Sequence, residues 1–150
     1  MINKTITIET SLAATPETVW GFLTNPSLLA EWLMPNNFMP EKGRVFQFKT
    51  KSRVKLGFEG LITCQILKLR QYAEISYTWQ GILSHEQHEL ETTITWTLQT
   101  QSTNQTLLKL KQEGFIGFKN LIPYAILFKS WQRLLTQKLP LAIAKYQAEI

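Results

Sequence analysis

The sequence predicts an α+β fold: a curved antiparallel sheet of about six to seven strands wrapped around a long C-terminal helix, with two short helices after strand 1. Three observations predict it. Asn120 to Tyr146 is the only stretch long enough to form a major helix. Almost everything before it alternates apolar and polar residues, the period of a half-buried strand. No helical pattern separates those strands, which excludes parallel βαβ units. Neither a lone amphipathic helix nor a lone sheet can bury its own apolar face, so each must cover the other.

Taken in order, Asn3 to Leu12 sets Ile6, Ile8 and Leu12 against Thr7 and Glu9, the first strand. Thr15-Pro16-Glu17 is a helix start, with a hydroxyl cap, a proline at the first helical position and an acid in the first turn. Val19, Trp20 and Leu23 form the apolar side of that helix. Asn25-Pro26 ends it and starts a second, through Leu28, Leu29 and Trp32. Turn clusters follow at Pro35-Asn36-Asn37 and at Pro40 to Gly43. Between them, Phe38 and Met39 are either a plug over the sheet edge or a lid over a cavity. Arg44 to Thr50 is a strand with Phe46 and Phe48 on one side, and Gly57 to Leu69 is the next. Gly60 inside it predicts a bulge or sharp bend.

Three clean alternations then follow. Ile75, Tyr77 and Trp79 face one way in Glu74 to Gly81. Leu90, Ile94, Trp96 and Leu98 do so in Leu90 to Thr100, and Leu108 and Leu110 in Thr106 to Gly114. Such a period of two marks antiparallel strands with one wet face. In the last helix Asn120 is the expected cap. Leu121, Tyr124, Ala125, Phe128, Leu135, Leu139, Ala142, Ile143 and Tyr146 project onto the apolar face, with Trp131 at its edge. Pro140 is expected to kink this helix rather than end it, because the period resumes after it. Ile126, Leu127 and Leu134 fall on the back, to pack on the short helices or to meet a second copy or another protein. The assembly is a helix-grip.

Length and composition fit one domain, residues 1–150, with a core that needs no staples. A 44% hydrophobic fraction with five Trp and eight Phe excludes disorder. One cysteine, Cys64, excludes an internal disulfide framework and fits a reducing compartment. Neither a secretory leader nor a membrane span is readable, so the expected location is cytoplasmic, without membrane insertion. The net charge of +5 is spread out. Its densest patch, Lys49, Lys51, Arg53 and Lys55, alternates like a solvated face and shows no nucleic-acid-reading motif, so no nucleic acid is expected as a partner.

The string Ala14-Thr15-Pro16-Glu17-Thr18-Val19-Trp20, then Leu23-Thr24-Asn25-Pro26 and Trp32, resembles the opening of the START-like (Bet v 1-like, SRPBCC) superfamily. It is most similar to the branch named for the C-terminal domain of the activator of Hsp90 ATPase. Gly60, Ile75-Ser76-Tyr77-Thr78-Trp79, Thr92-Thr93-Ile94-Thr95-Trp96, Glu113-Gly114-Phe115 and Trp131 with Leu135 and Leu139 extend the match over the whole chain. The resemblance implies a cavity between the sheet and the last helix. It names no ligand, because members include binders, cyclases, hydrolases and chaperone regulators. Where the branch usually has Gly before the tryptophan of the last helix, this chain has Ser130. The branch has no catalytic signature to carry over.

Read from the residues, the expected ligand-binding set is Phe46, Phe48, Tyr77, Trp79, Thr92, Trp96, Gln112, Tyr124, Phe128 and Gln132. It combines aromatic walls with a few polar groups placed in otherwise apolar stripes. Gln112, Thr92, Tyr124 and Gln132 are then either satisfied core groups or groups that orient a ligand. His85, Glu86, His88 and Glu89 are the one dense cluster of metal-ligand residue types. On a strand His85 and His88 point apart, so a solvated hairpin loop is the favoured reading, and no metal, cofactor or catalytic residue is expected. Cys64, between Ile62 and Ile66, reads as a buried free thiol rather than a nucleophile.

The expected function is non-enzymatic binding of a small hydrophobic, apolar or aromatic molecule. One alternative is a regulatory, co-chaperone or stress-response domain with a protein partner or a homodimer. The other is a cyclase- or hydrolase-type enzyme using an interior acid, for which Glu59 and Glu113 are the only candidates.

Overall fold

A computed structural model of the chain describes residues 2–50, 57–83 and 88–150. Its sheet has six strands: β1 Asn3–Leu12, β2 Val45–Lys49, β3 Phe58–Arg70, β4 Glu74–Leu83, β5 Glu89–Ser102 and β6 Gln105–Ile116. They lie in the order β1-β6-β5-β4-β3-β2, and every pair is antiparallel. The register slips at Lys4/Thr5, Glu59/Thr63, Ile66/Lys68 and Thr100/Ser102, and these irregularities bend the sheet. Gly60 sits at one of them with φ +71°, in the left-handed region open to glycine, as its place in the strand predicts.

Two short helices follow β1, α1 (Pro16–Thr24) and α2 (Pro26–Trp32). Thr15 caps α1 by accepting from the Thr18 N–H at 3.2 Å. Asn25 closes α1 and caps α2, its Oδ1 accepting from the N–H groups of Ser27 and Leu28. Trp32 then reaches back and donates its indole N–H to the Phe22 carbonyl at 2.9 Å.

The C-terminal helix runs as α3 (Leu121–Arg133), a π-helical turn (Leu134–Lys138) and α4 (Leu139–Glu149). The π turn corrects the expected apolar face. Pro123, Leu127, Trp131, Leu135, Leu139 and Ile143 are the buried residues, spaced four apart, with Leu134 beside them. Four residues of α-helix overshoot a full rotation by about 40°, so five such steps would carry the stripe off the sheet. A wider turn, in which the Leu139 N–H bonds to Leu134 O, takes up the excess. The strict 3.6 projection, lacking that turn, rotated the face. Trp131 is therefore central rather than marginal, Leu127 and Leu134 are core rather than back, and Ala125 is exposed. Pro140 stands in the first turn of α4, directly after the π turn. Asn120 does not cap α3: it is buried, and its side-chain N–H donates to Ile116 O at 2.9 Å.

Candidate functional site

Between sheet and helix lies an interior built largely of rings. Phe38, Phe46, Phe48, Trp79, Trp131 and Trp96 follow one another in contact, with centroids 4.7 to 5.6 Å apart. Tyr77 and Trp32 branch from this run. Period-two spacing explains the convergence, since Phe46 and Phe48, Tyr77 and Trp79, and Trp96 all point to the concave side of their strands. Phe38 is the plug at the β2 edge, 3% exposed and packed on Phe46, while its neighbour Met39 is 45% exposed.

The polar groups of this interior divide sharply. Trp131 donates its indole N–H to Gln112 Oε1 at 2.9 Å. Gln112 donates through Nε2 to Thr92 Oγ1 at 2.9 Å, and Thr92 donates to the Trp79 carbonyl at 3.2 Å. One chain of bonds thus ties α3 to β6, β5 and β4. Gly114 lets it close, because a Cβ there would stand 3.0 Å from Glu91 O, and its φ is +115°. Trp96 donates to the Tyr77 hydroxyl at 2.8 Å. Burial pushes the Tyr77 phenol far above its usual range, with the neighbouring Cys64 adding to the shift and the Trp96 bond opposing it. Trp79 is different: it is fully buried, and its indole N–H makes no hydrogen bond.

Nine of the ten expected binding residues lie in or against this interior. Phe46, Phe48, Tyr77, Trp79, Thr92, Trp96 and Gln112 are buried, and Tyr124 and Phe128 are half-buried at its rim. Gln132 is the exception. The rotated stripe turns it outward, into a surface groove of about 470 Å³ that also involves Ile126, Lys129 and Arg133. Two participants escaped the sequence reading. Trp131 was set at the edge by an ideal helical period. Phe58, which packs on Trp79 with centroids 6.1 Å apart, adjoins a glycine and carries no alternating pattern of its own.

The other candidates resolve simply. Cys64 is buried, and desolvation pushes its thiol up, the opposite of what a nucleophile needs. Glu59 and Glu113 are exposed, the latter in an ion pair with Lys111 at 3.7 Å, so neither supplies an interior acid. His85 and Glu86 lie outside the described residues, as do Lys51, Arg53 and Lys55. His88 donates to Asn120 Oδ1 at 3.0 Å, and Glu89 accepts from Gln80. Among the described residues no group of metal ligands converges, and no helix is long and apolar enough to cross a membrane.

With that geometry established, three comparisons bear on the chain. Residues 13–140 match the family model described as activator of Hsp90 ATPase homolog 1-like protein. No protein of curated function matches. Among solved structures, protein MLL2253 from Mesorhizobium loti is 28% identical with a TM-score of 0.79, covering 95% of this chain and 98% of that one. Protein CV1439 from Chromobacterium violaceum is 22% identical with a TM-score of 0.71, covering 93% and 96%. The Aha1 dimer from Colwellia psychrerythraea is 19% identical with a TM-score of 0.70, covering 97% and 99%. The last two similarities establish the fold alone.

Proposed function

Because the chain belongs to the activator of Hsp90 ATPase homolog 1-like family, the START-like branch its opening residues resemble, we propose that it is a non-enzymatic domain binding a small apolar or aromatic molecule between sheet and C-terminal helix. The observation that carries this reading is the ring-lined interior and its rim. Beside the run from Phe46 to Trp131, Phe128 and Tyr124 pack on one another and against the core, Tyr124 also on Phe115, and both stay half-buried at the surface. Binding there would be driven by burial of ligand apolar area, about 25 cal/mol per Å². Edge-to-face ring contacts add about 0.5–1.5 kcal/mol per pair. Among the described residues no Glu, Lys or Arg is buried, which favours an uncharged ligand over proton-transfer chemistry. The expected location remains cytoplasmic.

Native mass spectrometry of gently purified protein tests this reading, compared with the denatured mass. An added mass that leaves on denaturation supports it and names the ligand class. A mass equal to the bare chain, together with no uptake of 1-anilinonaphthalene-8-sulfonate by the folded protein, counts against it.

A second reading is a regulatory domain acting through its surface, alone or as a homodimer. It is favoured by Phe118 and Ile122 at the entry to α3, 80% and 64% exposed, and by the dimeric state of the Colwellia protein. Analytical ultracentrifugation of the wild type and of Phe118→Glu discriminates: a dimer that dissociates in the variant supports this reading, and a monomer in both removes the homodimer from it.

A further inference from the structure

Trp32, Trp79, Trp96 and Trp131 are all fully buried. Three of these indoles donate at normal distance, to Phe22 O, to the Tyr77 hydroxyl and to Gln112 Oε1. The fourth, Trp79, donates to nothing, and it is the sole buried side-chain donor or acceptor among the described residues left in that state. A fold that satisfies three indoles has the means to satisfy another, and buried polar groups without partners are rare enough that each calls for a reason.

The surroundings of Trp79 supply one. Its ring lies between Phe48, Phe58 and Trp131, with centroids 5.4, 6.1 and 5.6 Å away. Two residues further along the same face of β4 is Gly81, where a Cβ would stand 2.8 Å from Phe58 Cδ1. The missing side chain therefore makes a flat shelf, and the Phe58 ring lies on it. A flat ring of similar size would fit the same shelf. No buried cation or acid stands nearby among the described residues, so a charged ligand would be desolvated without compensation.

We propose that the Trp79 indole N–H is the recognition donor of the binding site, and that its ligand is a neutral, flat aromatic molecule with an oxygen acceptor at its edge, such as an aryl ketone, seated over Gly81 in place of the Phe58 ring. This rests on the small-molecule reading above and adds the ligand's chemical class. Satisfying a buried orphan donor favours the acceptor-bearing ligand over a hydrocarbon of the same shape by roughly ten-fold.

The test is a pair of titrations with acetophenone and ethylbenzene, followed by calorimetry and by the indole N–H resonances of ¹⁵N-tryptophan-labelled protein. The Trp79 resonance is identified by its absence from Trp79→Phe. The expected result is roughly ten-fold tighter binding of the ketone, a shift of the Trp79 resonance with the ketone alone, and near-equal binding of both compounds by Trp79→Phe. Equal binding by the wild type overturns the role of Trp79 and leaves the small-molecule reading standing. Failure of both compounds to bind overturns the two together. If Trp79→Phe does not fold, the wild-type pair still decides.

Discussion

Trp131 and Trp79 touch each other, yet the two sides of the interior they mark are finished differently. On the Trp131 side every polar group is used, because indole, amide and hydroxyl form a chain across α3, β6, β5 and β4. On the Trp79 side the indole packs among the rings of Phe48 and Phe58, and its N–H is unpaired. A buried polar group left without a partner costs about 1–3 kcal/mol. The first side fixes the helix over the sheet. The second holds a buried donor that adds nothing to stability.

Breaking the satisfied side has the largest expected effect. Gln112→Leu removes the acceptor of the Trp131 N–H and the donor to Thr92, leaving the indole buried and unpaired. We expect a loss of about 3 kcal/mol, combining the orphaned donor with the lost bonds. Urea unfolding checks this through its midpoint. A loss below about 1 kcal/mol would mean that packing alone seats the helix.

Alkali acts on the sheet beneath Phe46, where Cys64 and Tyr77 are both buried with raised pKa values. The unfolded chain loses these protons at ordinary pKa values, about 8.5 for the thiol and about 10 for the phenol. The folded chain retains them. Stability is therefore fully present below about pH 8.5 and falls as pH rises, by up to about 1.4 kcal/mol per pH unit for each titrating group. From pH 8.5 to 10 the thiol alone contributes a loss of up to about 2 kcal/mol. Unfolding midpoints across this range should show the decline, and Cys64→Val should delay it until the phenol titrates. An unchanged onset in that variant would remove Cys64 from the account.

Two tryptophans then sharpen the contrast directly. Trp131→Phe and Trp79→Phe remove similar volume from the same core, so their cavity terms are comparable. Only the first also strands an acceptor, Gln112 Oε1. Trp131→Phe should be the more destabilising of the two by about 1–2 kcal/mol. Equal losses would erase the distinction between structural and unpaired indoles.

Most of the fold was legible in the sequence because strand burial is a local matter. The alternation in Glu74 to Gly81 places Tyr77 and Trp79 inward whatever the partners are. The caps at Thr15 and Asn25 were legible for the same reason, since their hydrogen bonds close within a few residues. What could not be read was non-local. The π turn at Leu134–Lys138 is invisible to a fixed helical period, and it displaced Trp131, Leu127 and Gln132 together. Gln112 stands out in the sequence as a polar residue on an apolar face, but its partners lie on another strand and on the helix. Phe58 was missed because its importance comes from the shelf at Gly81 on the neighbouring strand.

The two glutamines supply the smallest effect and a clean control. Both lie on apolar stripes by sequence period, yet Gln112 is fully buried and Gln132 is exposed on the outer side of the C-terminal helix. The backbone carbonyl of Gln132 accepts from the Thr136 hydroxyl at 2.5 Å, and substitution of the side chain preserves that bond. Gln132→Leu should therefore change stability by less than about 0.5 kcal/mol, the usual range for surface positions. Because its side chain points away from Trp79, the same variant should leave the discrimination between ketone and hydrocarbon intact. A loss of that discrimination would mean that the ligand reaches the outer groove between Ile126 and Arg133, and that the binding site extends across the helix rather than ending beneath it.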